Sequence, residues 1–331
     1  MADKPKVFVS RLIPAAGLDR IRAACDADVW PEPLPPSYEV LRRRVADCDG
    51  LVSLLTDRID AALLDAAPRL KVVSNYAVGF NNIDVAAATA RGVAVGNTPG
   101  VLTDATADMA FCLLIAAARR LVDSCQYARD GKWKTWEPIG HLGQDLAGRT
   151  LGVVGMGRIG SALARRCRFG WDMKVLYHDV YRSEKAEKEL GAVQVDLDTL
   201  LRESDFVSVH TDLNEKTRGL FSTEQFRKMK PTAVFVNTAR GPIVKEAELI
   251  EALRSGTIFA AGLDVTDPEP PSPDSPLLRT PNLIVAPHIA SATVGTRNAM
   301  AEICASNLLA GLRGEKLPAW VNPEVEGKRR R

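Results

Sequence analysis

Residues 150–160 have the sequence TLGVVGMGRIG, an apolar strand that runs into the glycine pattern GxGxxG at the start of a predicted helix. In this pattern Gly155 makes a tight turn, Gly157 lets the backbone approach a pyrophosphate, and Gly160 lets the helix pack closely on the strand. The free N–H groups and the dipole of a helix N-terminus favour negative charge. The stretch therefore predicts a strand–turn–helix unit that binds a dinucleotide.

A second predicted strand, residues 174–177, is followed by the acid Asp179, which lies 19 residues beyond Gly160. A carboxylate at this place hydrogen-bonds the adenosine ribose of a dinucleotide. Because it also repels a 2′-phosphate, Asp179 favours NAD(H) as the cofactor. The nearby Arg182 is a cation that could pair with a 2′-phosphate, so NADP(H) stays open as the alternative.

On both sides of this unit, short apolar and β-branched segments alternate with helical patterns. Near-continuous apolar strands are typical of parallel sheets that helices cover on both faces, so we predict an α/β fold with right-handed crossovers. The predicted strands are residues 6–10, 50–54, 71–75, 94–97, 151–155, 174–177, 206–210, 233–237, 260–263 and 283–286.

A long helix is predicted over residues 102–120, between the two sets of strands. Thr103 or Asp104 is expected to cap its N-terminus. Its centre is apolar all round, which predicts burial on most sides, either inside one domain core or in an interface between domains or subunits. Residues 293–312 are predicted to form a final amphipathic helix.

The composition limits the partners. A chain of 331 residues has room for roughly two domains. Its 43 Lys and Arg nearly cancel its 41 Asp and Glu, so no strong overall field points to nucleic acid. The longest interior apolar run, residues 109–118, is half the length of about 20 residues that a bilayer requires, so no membrane span is predicted. The basic tail, residues 327–331, is expected to be a solvated end.

The cysteine and histidine patterns concern redox compartment and metals. The six cysteines form no CxxC pair, which predicts reduced thiols, and the four histidines have no metal-ligand spacing. No apolar leader is seen before residue 6. We therefore expect a cytoplasmic protein without a metal.

Seven blocks along the chain resemble the D-isomer-specific 2-hydroxyacid dehydrogenase family, and within it the glyoxylate/hydroxypyruvate reductase branch. Besides the glycine loop, the blocks are NYAVGFNNID (75–84), NTPGVLTDATAD (97–108), FVNTARG (235–241), GLDV (262–265), DPEP (267–270) and PHIASAT (287–293). Their common order makes the resemblance more specific than any single block.

The resemblance implies two Rossmann/flavodoxin-like domains with the active site in the interdomain cleft. A discontinuous substrate-binding domain would comprise residues 1–100 and 289–331, and an NAD-binding domain would comprise residues 101–288. It also implies a homodimer that reduces glyoxylate or hydroxypyruvate to glycolate or D-glycerate. The alternatives are a relative acting on 3-phosphoglycerate or D-lactate, and a nucleotide-sensing corepressor built on the same fold.

The catalytic residues of the family fall on Arg240, Glu269 and His288. A guanidinium can bind the carboxylate of a 2-oxo acid through two parallel hydrogen bonds. An imidazole ionises near neutral pH and can donate a proton to the substrate oxygen, and a paired carboxylate favours the imidazolium. His141, His178 and His210 lack such surroundings and receive no role.

Further site residues follow from the same resemblance. Val78 and Gly79 are expected to offer backbone N–H groups to the substrate carboxylate. Trp136 is expected to project toward the substrate pocket of a second subunit. Ala290 stands where glyoxylate reductases often have glycine, so its methyl group could narrow the pocket. The expected cofactor contacts are Thr106, Gly155, Gly157, Arg158, Ile159, Gly160, Asp179, Thr238, Ala239 and Asp264, of which Asp264 would accept from the nicotinamide carboxamide.

Overall fold

The computed structural model describes residues 4–330. The chain divides into two compact units, Met1–Leu102 with Ala292–Arg331 and Thr103–Ser291. Residues 1–3, at the start of the segment in which no apolar leader is predicted, lie outside the described residues. Arg331, at the end of the basic tail, also lies outside them.

The strands are β1 (Lys6–Val9), β2 (Asp26–Val29), β3 (Gly50–Ser53), β4 (Val72–Asn75), β5 (Ala94–Gly96), β6 (Thr150–Val154), β7 (Lys174–His178), β8 (Val193–Gln194), β9 (Phe206–Val209), β10 (Val234–Asn237), β11 (Ala260–Leu263) and β12 (Leu283–Val285). The α-helices are α1 (Ala15–Ala24), α2 (Tyr38–Val45), α3 (Ala61–Ala66), α4 (Val85–Ala90), α5 (Thr103–Ala118), α6 (Leu121–Arg129), α7 (Arg158–Trp171), α8 (Glu184–Leu190), α9 (Leu197–Glu203), α10 (Thr223–Lys228), α11 (Glu246–Arg254) and α12 (Val294–Leu312).

The first unit is a parallel sheet of five strands in the order β2-β1-β3-β4-β5. This is the flavodoxin-like order of a doubly wound fold. Helix α12 packs against α1, β3 and β4 of this sheet, so the end of the chain completes the unit that its beginning starts. The helix is predicted over residues 293–312 and spans Val294–Leu312, after the N-cap Thr293, whose side chain accepts from the Thr296 N–H group.

The second unit is a parallel sheet of seven strands in the order β12-β11-β10-β9-β6-β7-β8. The strand order reverses direction between β6 and β9, as in Rossmann folds. Successive side chains of one strand enter different cores: Val234 and Val236 pack on one side, Phe235 on the other. Because helices cover both faces, the central strands are mainly apolar, which confirms the predicted α/β class of both sheets.

Helix α5 lies in the core of the second unit, where it packs against α7, β10 and β11. Of the two interpretations of its apolar centre, these contacts support the core of one domain. The predicted cap is wrong, because the helix begins at Thr103 itself and Asp104 lies in its first turn. The Asp104 carboxylate instead pairs with the guanidinium of Arg166 on α7 at 3.0 Å.

Two strands, β2 and β8, are absent from the sequence prediction. Strand β2 has the sequence DADV with no fully buried residue, and β8 is two exposed residues long. Both are edge strands, which have one neighbour and less burial than central strands. An edge strand therefore need not carry the apolar run that identifies a central one.

The basic tail is not a solvated end, and this prediction is wrong for its described part. The Arg330 guanidinium donates to the carbonyl oxygens of Arg91 at 2.7 Å and Ala67 at 2.7 Å, which follow α4 and α3. Arg329 lies over the ring of Trp320 at 4.7 Å. Cations suit the negative ends of helices, so the tail packs onto the first unit.

Two further properties of the described residues concern the cysteines and the helices. All six cysteines are free thiols. Within residues 4–330, none of the helices combines the length and the apolar character that crossing a bilayer requires.

Candidate active site

The predicted site residues of the second unit follow the carboxyl ends of its parallel strands. The glycine loop follows β6, Asp179 follows β7, Arg240 lies three residues beyond β10, and Asp264 follows β11. His288 follows β12 in the same way. Parallel strands place their carboxyl ends on one edge of a sheet, and ligands of open α/β sheets bind at this edge.

The glycine loop has the geometry that its sequence predicts. Gly155 has φ +96°, and a Cβ there would lie 2.7 Å from the backbone of His210. Gly157 precedes the first turn of α7, and a Cβ there would meet no atom within 4 Å, so the loop is open to a ligand at this point. Gly160 packs against the carbonyl oxygen of Gly155. Arg158 and Ile159 are the first two residues of α7, at its positive end.

Asp179 is tied to the glycine loop. Its carboxylate accepts from the Met156 N–H group at 2.7 Å and from the Tyr181 N–H group at 3.1 Å. These bonds hold an acidic group beside the turn that would approach a pyrophosphate. The position agrees with an acid that meets the ribose of the same dinucleotide.

The remaining predicted cofactor contacts differ in their surroundings. The Thr238 hydroxyl is buried and has no hydrogen-bond partner among residues 4–330, so a ligand atom could satisfy it. The Ala239 N–H group donates to the Asn237 side chain at 3.0 Å. Thr106 is buried on α5. The open glycine turn, the acid after β7 and the unsatisfied hydroxyl fit a dinucleotide.

His288 and Glu269 form a hydrogen-bonded pair, with 2.5 Å between His288 Nδ1 and Glu269 Oε1. The His288 side chain is 26% exposed and the Glu269 side chain is 34% exposed, so the pair can exchange protons with solvent. His288 has φ +52°, an uncommon conformation for a residue with a side chain. With Nδ1 paired to the carboxylate, Nε2 is the ring nitrogen that can serve a substrate.

The charges around this pair reinforce one another. Burial raises the pKa of Glu269, but the hydrogen bond and charge of His288, with the charge of Arg240, outweigh it and hold that pKa below its usual value. Burial lowers the pKa of Arg240, against the opposing charges of Glu269 and Asp212. A half-buried guanidinium that has lost water gains from a bound carboxylate.

His210 provides a contrast with His288. Burial lowers its pKa to about 4, and its Nε2 lies 2.8 Å from the Ser208 hydroxyl. This imidazole is therefore neutral at physiological pH and unsuited to donate a proton in a reduction.

Asp264 is fully buried and its carboxylate holds the backbone that follows His288. Its two oxygens accept from the N–H groups of Ile289 at 2.8 Å and Ala290 at 2.9 Å. Burial raises the pKa of Asp264, and these two N–H groups oppose the rise. The sequence predicts a nicotinamide contact for Asp264, and the structure adds a role in positioning the His288 loop.

Val78 and Gly79 belong to the first unit, in the loop after β4. The Asn75 side chain donates to the Gly79 carbonyl at 2.9 Å, and the Asn97 side chain donates to the Val78 carbonyl at 2.8 Å. Among residues 4–330, no backbone carbonyl accepts from the N–H groups of Val78 and Gly79. Their carbonyls are held and their N–H groups are available to an anion.

Three asparagines that sequence reasoning missed share one property: each stands at the carboxyl end of an apolar strand. Asn75 ends β4, Asn97 follows β5, and Asn237 ends β10 and donates to the Arg240 carbonyl at 2.9 Å. A polar residue at the end of a buried strand must find partners in the adjacent loop. This position in the sequence could have identified them.

The second unit has a sheet of the dinucleotide-binding type. The carboxyl edge of this sheet also carries a histidine–carboxylate pair and a half-buried arginine. This combination defines a class of protein, the dinucleotide-dependent oxidoreductases. The family model described as "D-isomer specific 2-hydroxyacid dehydrogenase, NAD binding domain" matches residues 111–290. The chain belongs to the D-isomer specific 2-hydroxyacid dehydrogenase family, and its cofactor is a nicotinamide dinucleotide.

Individual relatives cover nearly the whole chain. A protein named glyoxylate reductase from Korarchaeum cryptofilum is 55% identical over 323 residues, which are 97% of this chain and 97% of that protein. A crystal structure of a Thermus thermophilus protein has a TM-score of 0.89 at 46% identity, covering 96% of this chain and 99% of that one. An NADPH-dependent glyoxylate/hydroxypyruvate reductase from Sinorhizobium meliloti, in complex with NADP and malonate, has a TM-score of 0.83 at 32% identity, covering 99% of each chain.

Among residues 4–330, no group of three or more His, Cys, Asp or Glu side chains is arranged to hold a metal ion.

Proposed function

We propose that this chain reduces glyoxylate or hydroxypyruvate, with NADH as the cofactor, to glycolate or D-glycerate. The observation that carries the proposal is the His288–Glu269 pair at 2.5 Å, in a chain that is 55% identical to a protein named glyoxylate reductase. Such a pair supplies the proton that reduction of a carbonyl to a hydroxyl requires.

The proton would move from the Nε2 atom of His288 to the carbonyl oxygen of the substrate. A bound reduced nicotinamide supplies a hydride to the carbonyl carbon. Glu269, whose carboxylate stays charged because its pKa is lowered, stabilises the imidazolium before the transfer. In the reverse direction the neutral imidazole would accept the proton of the hydroxy acid.

The carboxylate of the substrate would bind to Arg240. The guanidinium is partly withdrawn from water, and its pKa is lowered by burial, so a carboxylate that pairs with it replaces lost solvation. We propose that Val78 and Gly79, in the first unit, offer their N–H groups to a carboxylate of the substrate. Binding of a carboxylate would select a 2-oxo acid over a simple ketone.

For the cofactor, we propose contacts with Thr106, Gly155, Gly157, Arg158, Ile159, Gly160, Asp179, Thr238, Ala239 and Asp264. The preference for NAD(H) over NADP(H) rests on the carboxylate of Asp179. Its bonds to the glycine loop support a place near the ribose, where a 2′-phosphate would meet a negative charge.

We propose that the protein is a homodimer in the cytoplasm. Support comes from a segment with exposed large apolar side chains, Trp133, Trp136 and Ile139, of which Trp136 is 80% exposed. The proposed role of Trp136 is to reach the substrate pocket of the second subunit. Unchanged KM and substrate preference in Trp136→Ala would refute that role.

Initial rates of NADH and NADPH oxidation with a panel of 2-oxo acids test the proposal. The panel contains glyoxylate, hydroxypyruvate, pyruvate, 2-oxoglutarate and phosphohydroxypyruvate. The expected result is the highest kcat/KM with glyoxylate or hydroxypyruvate and NADH. Absence of turnover with every 2-oxo acid would refute the enzymatic proposal. A preference for phosphohydroxypyruvate or pyruvate would refute the proposed substrate and favour a 3-phosphoglycerate or D-lactate dehydrogenase.

A further inference from the structure

The loop between β7 and α8 contains a cation, Arg182, that could contact the 2′-phosphate of NADP(H). The guanidinium of Arg182 is instead paired with the carboxylate of Glu187. Arg182 lies three residues beyond Asp179. Its Nε atom donates to Glu187 Oε1 at 3.1 Å and Oε2 at 3.0 Å, and its Nη2 atom donates to Oε2 at 2.7 Å. Both carboxylate oxygens of Glu187 are therefore engaged with one guanidinium.

Glu187 is fixed from the other side by a buried phenol. The hydroxyl of Tyr177, whose side chain is fully buried in β7, donates to Glu187 Oε1 at 2.9 Å. The same hydroxyl accepts from the Ser183 N–H group at 2.9 Å, which ties the loop to the strand. The Glu187 side chain is 22% exposed and that of Arg182 is 69% exposed. An anchored carboxylate thus holds an exposed arginine.

This fixed geometry differs from an ordinary surface ion pair. Isolated exposed pairs lose side-chain entropy when they form and contribute little, whereas here Glu187 is already ordered by Tyr177 and the contact uses several hydrogen bonds. A 2′-phosphate would have to compete with Glu187 for Arg182. It would also bring its own negative charge near both Asp179 and Glu187.

We propose that Glu187 is a specificity-determining residue for the cofactor, which excludes NADP(H) by holding Arg182 in an ion pair. The inference rests on the proposed use of NAD(H) and deepens it: Asp179 repels the 2′-phosphate, and Glu187 removes the one nearby cation on this loop that could attract it. Loss of the Glu187 charge would release Arg182 to bind the phosphate.

Direct binding of each dinucleotide, followed by fluorescence titration without any 2-oxo acid, tests this inference. The variant is Glu187→Gln, which keeps an oxygen that can accept from Tyr177 but removes the charge that holds Arg182. We expect its Kd for NADPH to fall by at least about fivefold, the value of one modest ion pair, while its Kd for NADH stays within about twofold of wild type.

Two further variants separate the release of Arg182 from a general change of charge. Arg182→Ala/Glu187→Gln should lose the gain in NADPH affinity. Glu184→Gln, at an exposed glutamate of the same helix, makes the same change of net charge and should leave the NADPH Kd within about twofold of wild type. An equal gain in Glu184→Gln, or a gain that persists in the double variant, would overturn the inference.

The two proposals fail in different ways. A wild-type chain that binds neither dinucleotide would contradict the proposed function. A chain that binds NADH, but whose Glu187→Gln variant gains no affinity for NADPH, would overturn the role of Glu187 and leave the reductase proposal standing.

Discussion

At the scale of single residues, the site depends on which groups stay charged. Glu269 keeps its carboxylate ionised because His288 and Arg240 lower its pKa despite burial. The fixed negative charge stabilises the protonated imidazole of His288, which is the form that donates in reduction. Reduction should therefore depend on the charge of Glu269.

Glu269→Gln tests this dependence. Glutamine keeps an oxygen that can accept from His288 but removes the negative charge, so kcat/KM for glyoxylate reduction should fall by at least about tenfold. Initial rates at one fixed pH measure the loss. Asp267→Asn, in the same loop, is the control and should keep kcat/KM within about twofold of wild type. A Glu269→Gln variant that also stays within about twofold of wild type would contradict the role given to Glu269.

Arg240, Glu269 and His288 could be proposed from the sequence because each lies in a recognisable block. The network around them could not. The bonds from Asn75 and Asn97 to a loop, and from Asp264 to Ile289 and Ala290, depend on side-chain directions that arise only when the loops fold against each other. A buried polar side chain reveals its need for a partner, but the sequence does not identify the partner.

At the scale of elements, the packing of α7 against β6 determines the geometry of the glycine loop. Gly160 stands where the helix crosses the strand, and a Cβ there would collide with the Gly155 carbonyl and lie 2.9 Å from Val153 Cγ1. The Gly155 carbonyl can move away from such a Cβ only if the turn of the glycine loop opens. The identity of residue 160 therefore couples helix packing to the geometry of the glycine loop.

Gly160→Ala should lower the free energy of unfolding of the second unit by about 1–3 kcal/mol and weaken NADH binding, because the helix must move away from the strand. Urea unfolding and NADH titration measure the two effects. Gly170→Ala is the matched control on the same helix, since a Cβ there meets no atom within 4 Å, and it should be neutral or stabilising by up to about 1 kcal/mol. Equal behaviour of the two variants would refute the packing argument.

The elements themselves show what the sequence can and cannot predict. Central strands such as β6 and β10 are mainly apolar because helices cover both faces, and their sequences identify them. The edge strands β2 and β8 carry no such run, since one side of each has no neighbouring strand. The start of α5 lies within one residue of its predicted position, but its predicted cap does not form, because Asp104 pairs with Arg166 instead.

At the scale of the whole molecule, the two ends of the chain build one unit. Helix α12 packs on the sheet that β1 begins, and the tail continues across the ends of α3 and α4 through Arg330. Charge composition identified the tail as basic, but it could not show that these charges meet helix carbonyls. The tail up to Arg330 is therefore part of the folded unit.

Arg330→Ala should lower the free energy of unfolding of the first unit by about 1–2 kcal/mol. Hydrogen bonds from a charged donor contribute up to about 3 kcal/mol, and the partial exposure of this side chain reduces the value. Chemical denaturation of the full chain measures the loss. Lys328→Ala, at an exposed position of the same tail, should change stability by less than about 0.5 kcal/mol. If Arg330→Ala lowers the free energy of unfolding no more than Lys328→Ala does, the packing role of Arg330 is contradicted.

The measurement that tests the central claim most directly is kcat for glyoxylate-dependent NADH oxidation by wild type and His288→Gln, with the NADH Kd of each. The amide of glutamine cannot donate a proton as an imidazolium does, so we predict an active wild type and a loss of at least about 100-fold in kcat, with the NADH Kd unchanged within about twofold. A variant that keeps kcat within about threefold of wild type would contradict the account.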